Sequence, residues 1–190
     1  MRIIEAIESY GYYKDWYKND YQFLINRFGE DADLMAGLLA ATSPRVSMKR
    51  SWMLALQVYN AFKAGKEFDE AGYMPAHLSN IKRVLSGESL SGPKVTRFYK
   101  NLMGDDNAVT LDTWMIRFLT DGEKETVSEK EYKRLERNFK RTAKRYGYTP
   151  AELQAIVWIA YRKSQGLKPK SYKLVGDEKQ MMFEFMEVMV

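Results

Sequence analysis

Residues 91–119 of the chain read SGPKVTRFYKNLMGDDNAVTLDTWMIRFL, and this stretch says most about the fold. Its first residues turn the chain at Gly92 and Pro93, after which VTRFYKNLMG resumes the spacing of a helix. The preceding residues 77–87, HLSNIKRVLSG, predict a short helix closed by glycine, so the two helices and their turn form a helix-hairpin-helix pattern. Asp112 follows the extended AVTL and precedes TWMIRFL, where a helix N-cap belongs.

The rest of the chain also has helical spacing. Residues 33–42, DLMAGLLAAT, are almost entirely apolar and stop at a Ser-Pro pair, which predicts a buried central helix ended by proline. Residues 46–65 follow as an amphipathic helix ended by glycine. Because no stretch alternates with a period of two residues, we predict an all-α bundle.

Two further helices begin with capping-box patterns. Ser128 pairs with Glu131 in one pattern, and Thr149 pairs with Glu152 in the other, where proline takes the first helical position. The tail, residues 167–190, contains the basic stretch KPKSYK and predicts a last helix rich in methionine and phenylalanine.

Length and composition restrict the class of protein. With 190 residues the chain predicts one continuous globular body. No apolar run approaches the roughly 18 residues that a membrane span needs, and the start MRIIEAIESYGYYKDW lacks the basic-then-apolar order of a signal peptide. We therefore expect a cytosolic monomer that does not bind membranes.

Residue types that are absent or rare exclude several chemistries. The chain has no cysteine, which excludes disulfides, a thiolate nucleophile and an iron–sulfur cluster. Its one histidine, His77, cannot form a zinc site alone and is expected to be a surface or capping residue. Lysine, carboxylate or hydroxyl side chains, or a carboxylate-held metal, must supply any chemistry, and we expect no cofactor. The net charge of +5 fits a polyanionic partner such as nucleic acid.

The segment 91–119 resembles the catalytic core of the helix-hairpin-helix DNA glycosylases, the family of endonuclease III. In that family a lysine follows the glycine-containing hairpin, and a helix leads to an aspartate in a Val-Asp-Thr context with an arginine five residues beyond. The matching residues here are Gly92, Lys94, Asp112, Thr113 and Arg117. The likeness covers roughly residues 33–120, because the apolar helix and turn upstream are also similar.

The chain departs from the family pattern at several positions. Leu90 stands at the place of the first hairpin glycine, and Pro93 directly precedes the lysine. Thr42 stands where some members have a glutamine that fills the gap left by the extruded base. The cluster cysteines are missing, so the chain resembles a short phage-type member of the family without the iron–sulfur cluster.

The resemblance implies a chemistry for two residues. Such an enzyme flips a nucleotide out of the stack, and positive charge then develops on the sugar as the base leaves. Asp112 would stabilise that charge, and Lys94 with a neutral amine would attack C1′ and form a Schiff base that leads to strand cleavage. Burial near Arg97 or another cation would lower the pKa of the lysine as this role requires.

Ordinary structural explanations exist for the same residues. A lysine at the start of a helix is usually a solvated charge, and an aspartate before Thr-Trp is usually an N-cap worth about 1 kcal/mol. The basic side chains and KPKSYK could equally form a solvated face. The N-terminal aromatic residues, together with Trp114 and Trp158, are expected in the core.

Three functions remain open from the sequence. The first is a DNA glycosylase with lyase activity, and the second is an enzyme that changes a flipped base, as in phage pathways that make modified pyrimidines. The third is a DNA-binding protein without chemistry. Each would bind double-stranded DNA in a cleft between two helical lobes, predicted as 32–103 and as 1–31 plus 104–190. The predicted DNA contacts are Lys49, Arg50, Gly92, Arg97 and Thr42.

Overall fold

A computed structural model describes residues 1–167, which are helical without any strand in that range and confirm the predicted all-α class. The stretch KPKSYK and the predicted last helix lie outside the described residues. None of the helices in this range has both the length and the apolar character that a membrane crossing requires. In chain order the α-helices are α1 (Ile3–Tyr10), α2 (Trp16–Phe28), α3 (Ala32–Thr42), α4 (Met48–Lys63), α5 (Pro75–Leu85), α6 (Pro93–Leu102), α7 (Thr113–Leu119), α8 (Glu129–Arg145) and α9 (Pro150–Ser164).

The predicted N-caps are present. Ser128 Oγ accepts a hydrogen bond from the Glu131 backbone N–H at 3.3 Å and so caps α8. The Glu131 carboxylate does not complete a capping box there, because it instead pairs with Lys124 and Arg134. At α9 the box is complete, since the Glu152 carboxylate also accepts from the backbone N–H of Thr149 at 2.8 Å.

Helix α3 is the centre of a first hydrophobic cluster. Nine of its eleven residues are buried, as its apolar sequence predicts. Gly37 allows α5 to pack closely on it, because a Cβ at that position would lie 3.0 Å from a methyl group of Val84. The other buried members come from α2, α4, α5, α6 and the start of α9, and they include Trp16, Tyr17 and Leu24 of α2.

A second hydrophobic cluster joins α1 to the C-terminal half of the described chain. Its buried members include Val109, Leu111 and residues of α7, α8 and α9. Helix α9 contributes to both clusters, since Ala151 and Ala155 belong to the first and Leu153 and Ile156 to the second. The division of the chain into two lobes stays a prediction.

The turn between α5 and α6 is held by one buried side chain. Asn80 Oδ1 accepts from the Ser91 N–H at 2.7 Å, and its Nδ2 donates to the carbonyls of Ser91 and Ala76, each at 3.3 Å. Gly92 then has φ of +98°, a left-handed value that glycine adopts without strain, and Pro93 takes the first position of α6. Asn80 thereby fixes the point from which α6 and its first residues start.

Asn80→Ala should lower the free energy of unfolding by about 1–3 kcal/mol, because backbone groups of the turn lose their partner. Asn138→Ala is the matched control, since Asn138 is exposed on α8 and the same gain in helix propensity applies there. Urea unfolding of both variants measures the effect. Equal midpoints for the two variants would contradict this role of Asn80.

Candidate active site

A cavity of about 720 Å³ lies where the two hydrophobic clusters meet. Its walls come from α2, α7, α8 and one face of α9, and from the turn between α3 and α4, the start of α6, the segment around Asp112 and the loop before α8. Side chains of both clusters line it, for example Phe98 from the first and Ile116 from the second. Lys94 and Asp112 both line this cavity, together with Gly92.

Lys94 is partly buried at the start of α6. Its Nζ donates a hydrogen bond of 2.5 Å to Ser43 Oγ and lies 5.0 Å from the centre of the Phe98 ring. Ser43 donates in turn to the Ala40 carbonyl at 2.8 Å, so its hydroxyl is held in place. Burial lowers the pKa of Lys94 from 10.5 to about 8, and the negative charge of Asp112 opposes part of that change. The amine therefore has the environment of a reactive group and not that of a solvated surface lysine.

Asp112 combines the N-cap role with a position on the cavity wall. Its Oδ1 accepts from the Met115 N–H at 2.9 Å, which caps α7 as the sequence predicts. Its Oδ2 accepts from the indole N–H of Trp158 on α9 at 2.7 Å. Two donors from different helices therefore fix the orientation of the carboxylate.

The remaining predicted site residues lie in different surroundings. Lys49 and Arg50 are exposed in the first turn of α4 and do not line the cavity. Arg97 does not act on Lys94, because its guanidinium forms an ion pair of 3.1 Å with Glu136 of α8. Thr42 is completely buried, and its hydroxyl bonds to the Leu38 carbonyl and to Ser51. In this conformation Thr42 presents no atom to a DNA partner.

His77 has the capping role, one of the two alternatives that the sequence indicates, and it is fully buried. Its Nδ1 accepts from the Met74 N–H at 3.3 Å at the start of α5, and its Nε2 lies 2.9 Å from the Pro44 carbonyl. Because a carbonyl can only accept, Nε2 carries the proton and the ring is the neutral tautomer. His77 thus ties α5 to the turn that carries Ser43.

Several cavity residues were not recognised from the sequence. Ser43 was seen only as a helix stop, and Trp158 was expected to be core, which its low exposure of 8% matches without revealing that it also binds Asp112. Gln154 lines the cavity one turn before Trp158, and its buried Oε1 has no hydrogen-bond partner in the part of the chain that the structure describes. The sequence feature that could have identified this wall of the cavity is the spacing of Gln154, Trp158 and Arg162, which places them on one face of α9.

Arginine side chains lie against the aromatic residues of this cavity. The Arg162 guanidinium is 4.5 Å from the centre of the Trp158 ring and 5.4 Å from that of Trp114. Arg117, the arginine singled out by its spacing from Asp112, lies 4.9 Å from the centre of the Trp114 ring. Within residues 1–167 no group of three or more histidine or carboxylate side chains could hold a metal ion.

The chain belongs to a protein family of unknown function, DUF7178, whose model matches residues 10–165. No curated protein and no solved structure matches the chain. The matched range includes the whole of the cavity wall from α2 to α9.

The buried amine of Lys94 should destabilise the folded protein at neutral pH. The pKa of this lysine falls from 10.5 to about 8 on folding, so above pH 10.5 its burial costs the folded protein nothing. As the pH drops from 10.5 to 8 the free energy of unfolding decreases, and below pH 8 the full cost is present. Lys94→Met should therefore be more stable than the parent chain at pH 7 by on the order of 1–3 kcal/mol, and the difference should shrink towards pH 10.5.

Urea unfolding at several pH values measures this difference. Lys100→Met, at an exposed position on the same helix, is the matched control and should show no such trend. A Lys94→Met variant that is less stable than the parent at pH 7, or equally shifted at every pH, would contradict this penalty.

Proposed function

We propose that the protein is a DNA glycosylase with lyase activity, which acts in the cytosol as a monomer on a flipped, damaged or modified base of double-stranded DNA. The observation that carries the proposal is that Lys94, with a pKa lowered by burial to about 8, shares one cavity with a fixed carboxylate, Asp112. The resemblance of residues 91–119 to the helix-hairpin-helix glycosylases supplies the reaction. A volume of about 720 Å³ is within the range of small-molecule sites.

Lys94 is the nucleophile in this proposal. With a pKa near 8, roughly one amine in ten is neutral at pH 7, compared with fewer than about one in a thousand for an ordinary lysine. The amine lone pair forms a bond to C1′ while the bond from C1′ to the base breaks and its electrons leave with the base, which takes up a proton. The nitrogen then loses a proton, and its lone pair forms a second bond to C1′ while the bond from C1′ to the ring oxygen breaks. The ring oxygen takes up a proton, and the opened sugar is held as the Schiff base.

Asp112 acts through its charge. Positive charge develops on the sugar as the base departs, and a carboxylate already held by the Met115 and Trp158 N–H groups needs no reorientation to stabilise it. Ser43 is a positioning residue here, because its hydroxyl holds the lysine amine within the cavity. The two charged groups thus have separate tasks.

Lys94→Gln should abolish borohydride trapping on DNA and strand cleavage while DNA binding is retained, because trapping needs the amine. Lys100→Gln, an exposed position on the same helix, should trap as the parent does. Oligonucleotides with different damaged or modified bases provide the substrates. If the parent chain binds DNA but is not trapped on any of these oligonucleotides, the result favours a base-modifying enzyme or a DNA-binding protein without chemistry.

Asp112→Asn should slow base release by about 10² or more, the scale for loss of a preorganised charge at a reacting centre. Asparagine caps helices nearly as well as aspartate, although one of its two side-chain acceptors is replaced by a donor. Single-turnover base release, with the urea midpoint as a folding control, separates chemistry from stability. If Asp112→Asn and Lys94→Gln both release the base at the parent rate, the assigned site is wrong.

Reversing the charges of Lys49 and Arg50 should weaken binding of all duplex sequences about equally, because phosphate contacts position a protein without reading bases. Both side chains are exposed in the first turn of α4, as such contacts require. Fluorescence anisotropy with several duplexes measures the affinities. A loss confined to one sequence would contradict a backbone role for this pair.

A further inference from the structure

Helix α8 carries a charge equal to that of the whole chain. Its sequence EKEYKRLERNFKRTAKR contains eight basic and three acidic residues, a net of +5, and the formal net charge of all 190 residues is also +5. The acidic residues lie in its first half, so Arg137–Arg145 contains five cations and no carboxylate. The formal charges outside α8 therefore balance, and the net positive charge of the chain equals that of this one helix.

The cations of α8 form a continuous face. Lys133 and Arg134 are paired with Glu129 and Glu131, and Lys140 is paired with Glu136. Five others are exposed and have no ion-pair partner among the described residues. These five define the α8 cationic face: Lys130, Arg137, Arg141, Lys144 and Arg145.

The spacing of this face follows the helix repeat. Positions 130, 137, 141 and 144 recur at intervals of seven, four and three residues, which places them on one side of the helix. From 130 to 145 the helix rises about 22 Å at about 1.5 Å per residue. Near its end, Lys140, Arg141 and Lys144 also line a shallow depression of about 520 Å³ with Tyr148.

We infer that the α8 cationic face binds the phosphate backbone of duplex DNA, at a surface separate from the cavity. About 22 Å matches roughly six base pairs of a duplex at about 3.4 Å per pair. None of the five cations of this face lines the cavity or takes part in the chemistry proposed for Lys94 and Asp112. Whether the proposed glycosylase reaction occurs therefore does not decide this inference.

Two other partners fit the face less well. An amphipathic helix binds an anionic membrane by inserting its apolar side, but on α8 that side is buried in the second cluster, as Tyr132, Leu135 and Phe139 show. A protein partner would need apolar anchors at the centre of the contact, and the middle of this face offers charged side chains alone. Duplex DNA, a regular polyanion, needs no apolar contact and can bind through the cations of this face and their spacing alone.

The test replaces Arg137, Arg141 and Lys144 with glutamine, which removes three charges and keeps a good helix former. Binding to an undamaged duplex of mixed sequence is measured by fluorescence anisotropy at several salt concentrations. Each phosphate contact contributes about 0.9 to the slope of log affinity against log salt, so the triple variant should lose about 2.7 from that slope. Between about 50 and 200 mM salt, the parent should therefore lose about 40-fold more affinity than the variant.

The matched control removes two cations of the same helix that are already ion-paired, by Lys133→Gln and Arg134→Gln, and should change the slope by less than about 1. If the triple variant fails to fold by circular dichroism, Arg137→Gln alone should lower the slope by about 0.9. An unchanged slope overturns the inference. So does tighter binding of phosphatidylserine vesicles than of duplex at equal salt, if it depends on the same three cations.

The outcomes separate this inference from the proposed function. Trapping through Lys94 with an unchanged salt slope in the triple variant would reject the α8 contact and leave the reaction intact. A reduced slope in a protein that is never trapped would retain the α8 contact and reject the reaction.

Discussion

The packing of α9 into both hydrophobic clusters is the constraint on which the rest of the structure depends. Ala151 and Ala155 let α9 approach the first cluster closely, while Leu153 and Ile156 point into the second. Since each position is almost completely buried, neither cluster can move away from α9 without exposing apolar surface. The cavity between the clusters is therefore bounded by a helix common to both, and the indole that orients Asp112 comes from that helix.

A second set of contacts connects the turn between α5 and α6 to the lysine. Asn80 holds the end of that turn at Ser91, and His77 holds the turn after α3 at Pro44. Ser43, next to Pro44, accepts the hydrogen bond of the Lys94 amine. The position of the amine is thus set from both sides, by the start of its own helix and by a hydroxyl at the end of the buried central helix. A buried amine that costs stability and is held this firmly by its neighbours is typical of a functional site.

Local signals in the sequence predicted much of this fold. The helix ends at Pro44 and Gly87, the N-caps at Asp112, Ser128 and Thr149, and the burial of α3 follow from short-range rules, and the structure has them all. The candidate pair Lys94 and Asp112 came instead from the resemblance of residues 91–119 to the helix-hairpin-helix glycosylases, and both residues line one cavity.

What could not be predicted depends on contacts between residues far apart in the chain. The partner of Lys94 is 51 residues away, that of Trp158 is 46 residues away, and that of Arg97 is 39 residues away. A helical pattern shows which side of a helix is apolar but not which polar group of another helix it meets. For this reason the ion pair of Arg97 with Glu136 and the contact of His77 with the Pro44 carbonyl were not predicted.

The concentration of charge on α8 also affects how the molecule moves before it touches anything. The formal net charge is +5 on α8 and zero on the remainder of the chain, so α8 is the element with the largest excess of positive charge. A polyanion would attract this helix over a distance of about 10 Å at 0.1 M ionic strength. Encounter rates would then depend steeply on salt, whereas the partly enclosed groups of the cavity are screened much less. The association proposed for α8 and the reaction proposed for Lys94 would thus respond to different properties of the solution.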